Sequence, residues 1–144
     1  MRQFAIILIS CLLTSTHSND HDRGQSYIEI DIACGFAGVT SLSILNVHQL
    51  VNSKSYIFLR RKLFSENRAE ALISVVALRE LQSKRVINLS SEELVQIDKI
   101  SSWGDNYSVC HTCTEHFQGS VNELLANQNT PAYLLIKARI FNVD

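Results

Sequence analysis

The chain has 144 residues, 46% of them hydrophobic and 19% charged, and a formal net charge of -1. This composition excludes a disordered chain and supplies enough apolar side chains for the core of one small domain. The near-neutral charge also argues against nucleic acid as a partner, because no basic excess is available to neutralise phosphates.

Residues 1–18 predict export. One positive charge at Arg2 precedes an apolar run over residues 4–13, and a mostly small and polar stretch ends at Ser18. This is the organisation of a secretory signal peptide that is cleaved before Asn19. We therefore expect a secreted or periplasmic protein without a transmembrane span, since the run falls well short of the roughly 20 residues that cross a bilayer.

The tetrapeptide at residues 8–11, Leu-Ile-Ser-Cys, allows a second interpretation of the same segment. It resembles the lipobox of bacterial lipoproteins, in which the cysteine becomes the lipidated N-terminus. That resemblance implies a protein that is anchored to a membrane through Cys11.

Cleavage before Asn19 would create a candidate metal site at the new N-terminus. The mature chain would then begin with Asn19, Asp20 and His21. A free amine, two backbone amides and the imidazole of His21 can bind Cu(II) or Ni(II) in a square plane, the geometry that these ions prefer. This hypothesis depends entirely on the position of the cut.

The next segment, residues 19–25, is polar and predicts a flexible leader to a single globular domain over residues 26–144. Residues 27–32 alternate strictly, with three isoleucines on one side and two acids on the other. This alternation predicts a half-buried strand that ends near Cys34.

The middle of the chain predicts three to four short helices. A helix is favoured at 41–51, although residues 39–47 also fit a strand. The later helices are signalled by apolar spacing, by Asn67 as an N-cap and by a capping box at 90–93. Their predicted positions are 56–64, 67–84 and a segment that starts after Ser90 and ends at about 101–105. The basic run at residues 60–62 is interpreted as a solvated helix face.

The last third predicts an extended segment at 107–109, a short helix near 121–125 and, after a turn at 127–131, a C-terminal strand at 133–141. In that strand, Ile136, Ala138 and Ile140 would face one side. The predicted fold class is therefore α+β, with a helical middle flanked by an N-terminal and a C-terminal β-strand that can pair with each other.

Three cysteines, Cys34, Cys110 and Cys113, remain after removal of the signal peptide. They predict a disulfide, because the compartments that receive exported proteins are oxidising. A bond from Cys34 to Cys110 or Cys113 would close a long loop and stabilise the fold by roughly 4 to 5 kcal/mol, against about 2 kcal/mol for a bond between the two later cysteines. A structural disulfide should therefore use Cys34.

The spacing Cys110-x-x-Cys113 is also that of a redox pair, with Cys110 as nucleophile and Cys113 as resolving thiol. Together with Trp103 and a proline at Pro131, it resembles thioredoxin-like proteins, in which a proline that opens a strand packs against the cysteine pair. The chain departs from that family because too few residues separate Cys113 from Pro131 to hold the helix and the further strand-helix unit that the family places there.

The same segment contains the ligand types of a metal site, since His111 and His116 lie beside the two cysteines and Cys34 could add another ligand. Specific zinc sites usually combine two such clusters, and the sequence holds one. No metal is therefore predicted at these residues, and no cofactor is predicted anywhere in the chain.

No family is recognised, and no catalytic motif stands out. The leading hypothesis is a small exported, non-enzymatic binding protein, stabilised by a disulfide, whose partner is an unidentified protein or small molecule. The alternative is a thiol-disulfide redox protein that uses Cys110 and Cys113 as its catalytic pair.

Overall fold

The computed structural model describes residues 27–34, 40–112 and 114–141, and these residues form six α-helices and three β-strands. In chain order the elements are β1 (Tyr27–Asp31), α1 (Leu42–Asn52), α2 (Tyr56–Arg61) with a 3-10 turn (Lys62–Phe64), α3 (Arg68–Ser83), α4 (Ser91–Ser101), β2 (Asn106–Cys110), β3 (His116–Ser120), α5 (Val121–Ala126) and α6 (Pro131–Phe141). The α+β class is confirmed. The predicted signal peptide, Cys11 and His21 lie outside the described residues.

The three strands form one sheet in the order β1-β2-β3. Strands β1 and β2 are parallel, whereas β2 and β3 are antiparallel. Parallel neighbours need a long crossover connection, and helices α1 to α4 provide it. The predicted alternation of β1 is confirmed, because Ile28, Ile30 and Ile32 are buried while Glu29 and Asp31 are exposed.

Helix α3 lies at the centre of the core. Residues 70–78 are buried without interruption, so this stretch of the helix has no solvent face. A helix that is buried on all sides must be covered by other elements, and α3 packs against α1, α2, α4, α6 and β1. Its start is fixed by the predicted N-cap, since the Asn67 side chain accepts a hydrogen bond from the backbone N–H of Glu70 at 3.1 Å.

Helix α1 forms where it was favoured, but its buried face is only partly the expected one: the spacing of Leu42, Leu45, Leu50 and Val51 predicts a buried face, and of these Val51 alone is buried. Leu42 and Leu45 are 75% and 43% exposed, whereas Ile44, Val47 and Val51 are buried. The buried residues follow one another at helical spacing of three and four residues, which gives a continuous apolar stripe against α3 and α6. Apolar spacing in the sequence also predicts that Ile57 and Leu94 face the core, but both are exposed.

The C-terminal segment is a helix, so the strand predicted at 133–141 is wrong. The Thr130 hydroxyl accepts a hydrogen bond from the backbone N–H of Tyr133 at 3.2 Å, and Pro131 occupies the first helical position. Tyr133, Ile136 and Ile140 are buried at helical spacing. The expected pairing of an N-terminal with a C-terminal strand is therefore replaced by the pairing of β1 with β2.

A disulfide joins Cys34 to Cys110, whose Cα atoms are 5.7 Å apart. This distance lies within the usual span of about 4.4 to 6.8 Å. Cys34 follows β1 and Cys110 ends β2, so the bond fastens the carboxyl ends of two parallel strands. It uses Cys34, in agreement with the loop-closure argument.

Replacing both bonded cysteines, Cys34→Ser with Cys110→Ser, is expected to lower the free energy of unfolding by about 4 to 5 kcal/mol. The reason is that the bond constrains an unfolded loop that spans a sequence separation of 76 residues. Denaturant unfolding of the two proteins measures the difference. Cys113→Ser is the matched control, and a loss of stability in this control as large as in the double variant would contradict the assigned bond.

Arg60 and Glu93 connect α2 to the start of α4. Arg60 Nη1 donates to both Glu93 carboxylate oxygens at 2.8 and 2.6 Å, and its Nη2 donates to the Asn88 carbonyl at 2.8 Å. Glu93 also accepts from the Ser90 backbone N–H at 2.7 Å, which closes the predicted capping box. Burial alone would raise the pKa of Glu93, but these hydrogen bonds and the Arg60 charge bring it below its ordinary value of 4.5.

Part of the basic run at residues 60–62 therefore pairs within the fold rather than forming a solvated face, because Lys62 Nζ also lies 2.9 Å from the Glu70 carboxylate. Hydrogen bonds from Lys62, Ser65 and Asn46 overcome the effect of burial on Glu70 and lower the pKa of that carboxyl too. Both carboxylates are thus ionised partners in the folded protein.

Glu93→Gln keeps a side chain that can complete the capping box but removes the charge opposite Arg60. We expect the substitution to lower the free energy of unfolding at neutral pH by about 1 to 2 kcal/mol. Because the folded pKa of Glu93 is lowered, its contribution is present above the ordinary value of 4.5 and is lost as the pH falls through the folded pKa. Thermal unfolding of both proteins from neutral to acid pH should show their stabilities converging at the acid end, and a constant difference would contradict this role.

Candidate functional site

A cavity of about 620 Å³ lies between the β2-β3 hairpin and the segment that contains α5 and α6. Its size falls within the range of about 300 to 1,000 Å³ that is typical of ligand sites. We call it the β3 groove. The residues that define it here are Phe117, Gln118, Glu123, Asn127, Pro131 and Ala132.

One side of the β3 groove is the outer edge of β3. The ladder between β2 and β3 continues at its ends through backbone bonds from His111 to Glu115 and from Val121 to Asp105. In an antiparallel pair the bonded residues alternate, so the odd-numbered residues of β3 direct their backbone groups to β2. Gln118 therefore directs its backbone N–H and C=O away from the sheet, and within the described ranges no other residue bonds to them.

The opposite side of the groove is formed by α5, the turn after it and the start of α6, and short-range hydrogen bonds fix these elements. Directly after β3, the Ser120 hydroxyl accepts from the Glu123 backbone N–H at 3.2 Å, and the Glu123 carboxylate accepts from the Ser120 N–H at 3.4 Å. This capping box starts α5, and a turn follows in which the Asn127 side chain accepts from the Asn129 N–H at 3.0 Å. Pro131 then starts α6, so the chain leaves the edge strand and returns beside it.

Tyr107 and Gly119 form a close cross-strand pair next to the groove. They lie directly opposite each other in β2 and β3. A Cβ atom on Gly119 would lie 3.1 Å from Cε1 and from the hydroxyl oxygen of Tyr107, so the ring occupies the space that a side chain would need. Burial raises the pKa of Tyr107, and the nearby Glu123 carboxylate adds to the shift, so the phenol remains a proton donor at neutral pH.

The disulfide lies on the open face of the same sheet. Cys110 is directly opposite Asp31 of β1 and His116 of β3, and these three residues form one row across the strands, which we call the Cys110 row. The distance from Cys110 Sγ to His116 Nε2 is 4.0 Å. An Asp31 carboxylate oxygen and the sulfur atoms of Cys34 and Cys110 all lie within 4.8 Å of one another.

His111 and Cys113 are the other candidate site residues that the sequence places beside Cys110. His111 Nδ1 lies 2.9 Å from the Glu115 carboxylate, so this imidazole is engaged across the hairpin turn. Cys113 lies outside the described residues. The Cys110-Cys113 redox pair therefore stays a prediction, while Cys110 is bonded to Cys34.

Sequence reasoning missed β3 and with it the groove. The tetrad at 120–123 has the Ser-x-x-Glu pattern of a helix start, so it could have marked where a preceding strand must end. No local pattern indicates that Gly119 lies opposite Tyr107, because that pairing depends on the register of two strands.

Within the described ranges, no helix has both the length and the apolar composition that crossing a bilayer requires. Comparison with known proteins gives no relative: no protein-family model matches the chain, and neither a curated protein nor a solved structure is significantly similar to it.

Gly119→Ala is expected to destabilise the protein by about 1 to 2 kcal/mol, because the new methyl group would press on a buried ring. The cost should be smaller in a Tyr107→Phe background, since one of the close contacts is to the hydroxyl oxygen. A double-mutant cycle from denaturant unfolding should give a coupling of about 0.5 kcal/mol or more. Strict additivity of the two substitutions would show that the ring does not restrict this position.

Proposed function

We propose that the protein is a small exported binding protein that recognises an extended polypeptide segment at the β3 groove. The observation that carries the proposal is the outer edge of β3, where backbone groups of Gln118 face an open cavity. Extended peptides commonly bind by adding a strand to such an edge, and pockets beside the edge then select their side chains.

Main-chain hydrogen bonds would supply the part of the affinity that does not depend on the sequence of the bound peptide. Backbone N–H and C=O groups require hydrogen-bond partners, and at an exposed edge water is their default partner. A bound strand would pair with Gln118 and extend the sheet to a fourth strand. The strand β3 has only five residues, so the recognised segment would be correspondingly short.

Side chains of the groove would supply selectivity. Alternate residues of an extended peptide point to the same side, so every second side chain could enter the cavity. Phe117, Pro131 and Ala132 offer an apolar surface for such a side chain. Glu123 is the one described lining residue with a carboxylate, and it is exposed, which favours a lysine or arginine in the bound segment.

Export and a structural disulfide are part of the same proposal. The signal-peptide pattern at residues 1–18 supports export, and a disulfide is the expected state of paired cysteines in an oxidising compartment. Bonding of Cys110 to Cys34, rather than to Cys113, favours a structural role for Cys110 over the redox alternative.

Gln118→Pro tests the proposed binding mode. Proline removes the N–H that faces the groove, and because that N–H points away from β2, the β2-β3 ladder should persist. A phage-displayed library of short linear peptides, selected on the full chain, supplies the probes, and fluorescence anisotropy measures their Kd. We expect Gln118→Pro to weaken binding by about tenfold or more while its thermal unfolding stays close to wild type.

Gln118→Ala is the matched control, since it removes the side chain and keeps the backbone donor. Gln118→Ala should bind the selected peptides with nearly wild-type affinity. Glu123→Gln can still complete the capping box, but it should weaken the binding of peptides that contain lysine or arginine. Equal binding by the proline and alanine variants, or a selection that enriches no peptide, would overturn the proposal.

A further inference from the structure

The three residues of the Cys110 row and the bonded Cys34 place four potential metal ligands on the open face of the sheet. Asp31, Cys110 and His116 occupy facing positions on three adjacent strands, and Cys34 reaches the same point through its bond to Cys110. Asp31 and His116 are exposed, so their side chains can turn without disturbing the core. The cluster therefore combines two sulfur atoms, one imidazole nitrogen and one carboxylate oxygen.

We propose that reduction of the Cys34-Cys110 disulfide converts this cluster into a binding site for zinc or a similar thiophilic divalent ion. Zinc takes four ligands in a tetrahedron, and cysteine sulfur, histidine nitrogen and aspartate oxygen can each be one of the four. The site shares His116 with the lining of the β3 groove, whereas its other three ligands lie on β1, on β2 and after β1, and Gln118 takes no part in it.

The spacing of the donor atoms fits a tetrahedral ion. With Zn–S distances of about 2.3 Å and Zn–N distances of about 2.0 to 2.1 Å, neighbouring donors lie roughly 3.3 to 3.8 Å apart. Cys110 Sγ and His116 Nε2 are already 4.0 Å apart, and the Asp31 oxygen is within 4.8 Å of both sulfurs. The sulfur atoms must separate after the S–S bond breaks, and the exposed Asp31 and His116 side chains must rotate towards them to complete the tetrahedron.

The oxidation state of the cysteines controls the site. In the disulfide neither sulfur is a thiolate, so neither can serve as an anionic ligand. A dithiol reductant breaks the S–S bond by thiol-disulfide exchange: the reductant becomes a disulfide, and Cys34 and Cys110 gain two electrons and two protons as thiols. Binding of the divalent ion then releases the two thiol protons to water, and the ion is held by two thiolates.

Cobalt titration of the reduced full chain tests the proposal. The protein is reduced with a phosphine under anaerobic conditions, and Co²⁺ is added as a spectroscopic substitute for Zn²⁺. We expect a thiolate-to-cobalt charge-transfer band and the ligand-field bands of a tetrahedral ion, saturating at one equivalent and abolished by Zn²⁺. The oxidised protein should show none of these bands.

Two pairs of variants decide which ligands are used. His116→Ala and Asp31→Asn should weaken cobalt binding by about tenfold or more, while His111→Ala and Cys113→Ser should bind as the wild type does. Bands that disappear in Cys113→Ser and His111→Ala but persist in Asp31→Asn would overturn the proposal, because they would place the ion on the 110–113 segment. Tetrahedral bands in the oxidised chain, or none in the reduced chain, would overturn it equally.

Circular dichroism keeps the test decisive if the reduced chain unfolds. Zinc that binds only the folded state stabilises that state by mass action. Zinc should therefore restore the helical signal or raise the unfolding temperature of the reduced wild type and of Cys113→Ser, and should fail to do so for His116→Ala. Absence of any zinc effect on the reduced wild type would overturn the proposal.

Discussion

The complete burial of helix α3 is the constraint on which the other elements depend. Residues 70–78 have no solvent face, so apolar surfaces must cover them on every side. Glu70 begins this stretch and Glu80 lies just beyond it; both are buried, and each requires a cation because an unpaired buried charge is strongly destabilising. Lys62 and Lys137 meet them at 2.9 and 2.8 Å, which attaches the turn after α2 and helix α6 to the central helix.

This arrangement also decides where a binding site can form. Among the described residues, the helices cover the face of the sheet on which Ile28, Ile30 and Val109 are buried, whereas Glu29, Asp31 and Gln118 are exposed on the other face. Helix α6 is held by its buried Tyr133 and Ile136, and its N-terminal residues consequently stand beside the outer edge of β3. The groove and the Cys110 row are thus the parts of the sheet that the core does not use.

The elements with a local signal were predictable from the sequence. The alternation of β1, the Asn67 cap and the capping box at Ser90 each act within a few residues, and each element formed where it was expected. The C-terminal helix was missed because Thr130-Pro131 fits a turn as well as a helix start. In addition, four consecutive apolar residues at 133–136 fit the periodicity of a strand as well as that of a helix. Strand β3 contains residues such as Gln118 and Gly119 that do not favour strands, so it exists through its pairing with β2. The groove depends on that pairing and was therefore beyond local reasoning.

The disulfide makes a covalent ring of the chain between residues 34 and 110, and helices α1 to α4 all lie within it. Lys54 and Arg85 also lie within the ring, both exposed and both with positive φ, at 54° and 58°. Exposed turns of this kind are where proteases cut folded chains. A protease that cleaves after a basic residue at either turn would open the ring but leave the two pieces joined through sulfur. Outside a reducing environment, the nicked protein would therefore remain one covalently linked molecule. In a reducing environment, the disulfide would break and the covalent link between the two pieces would be lost.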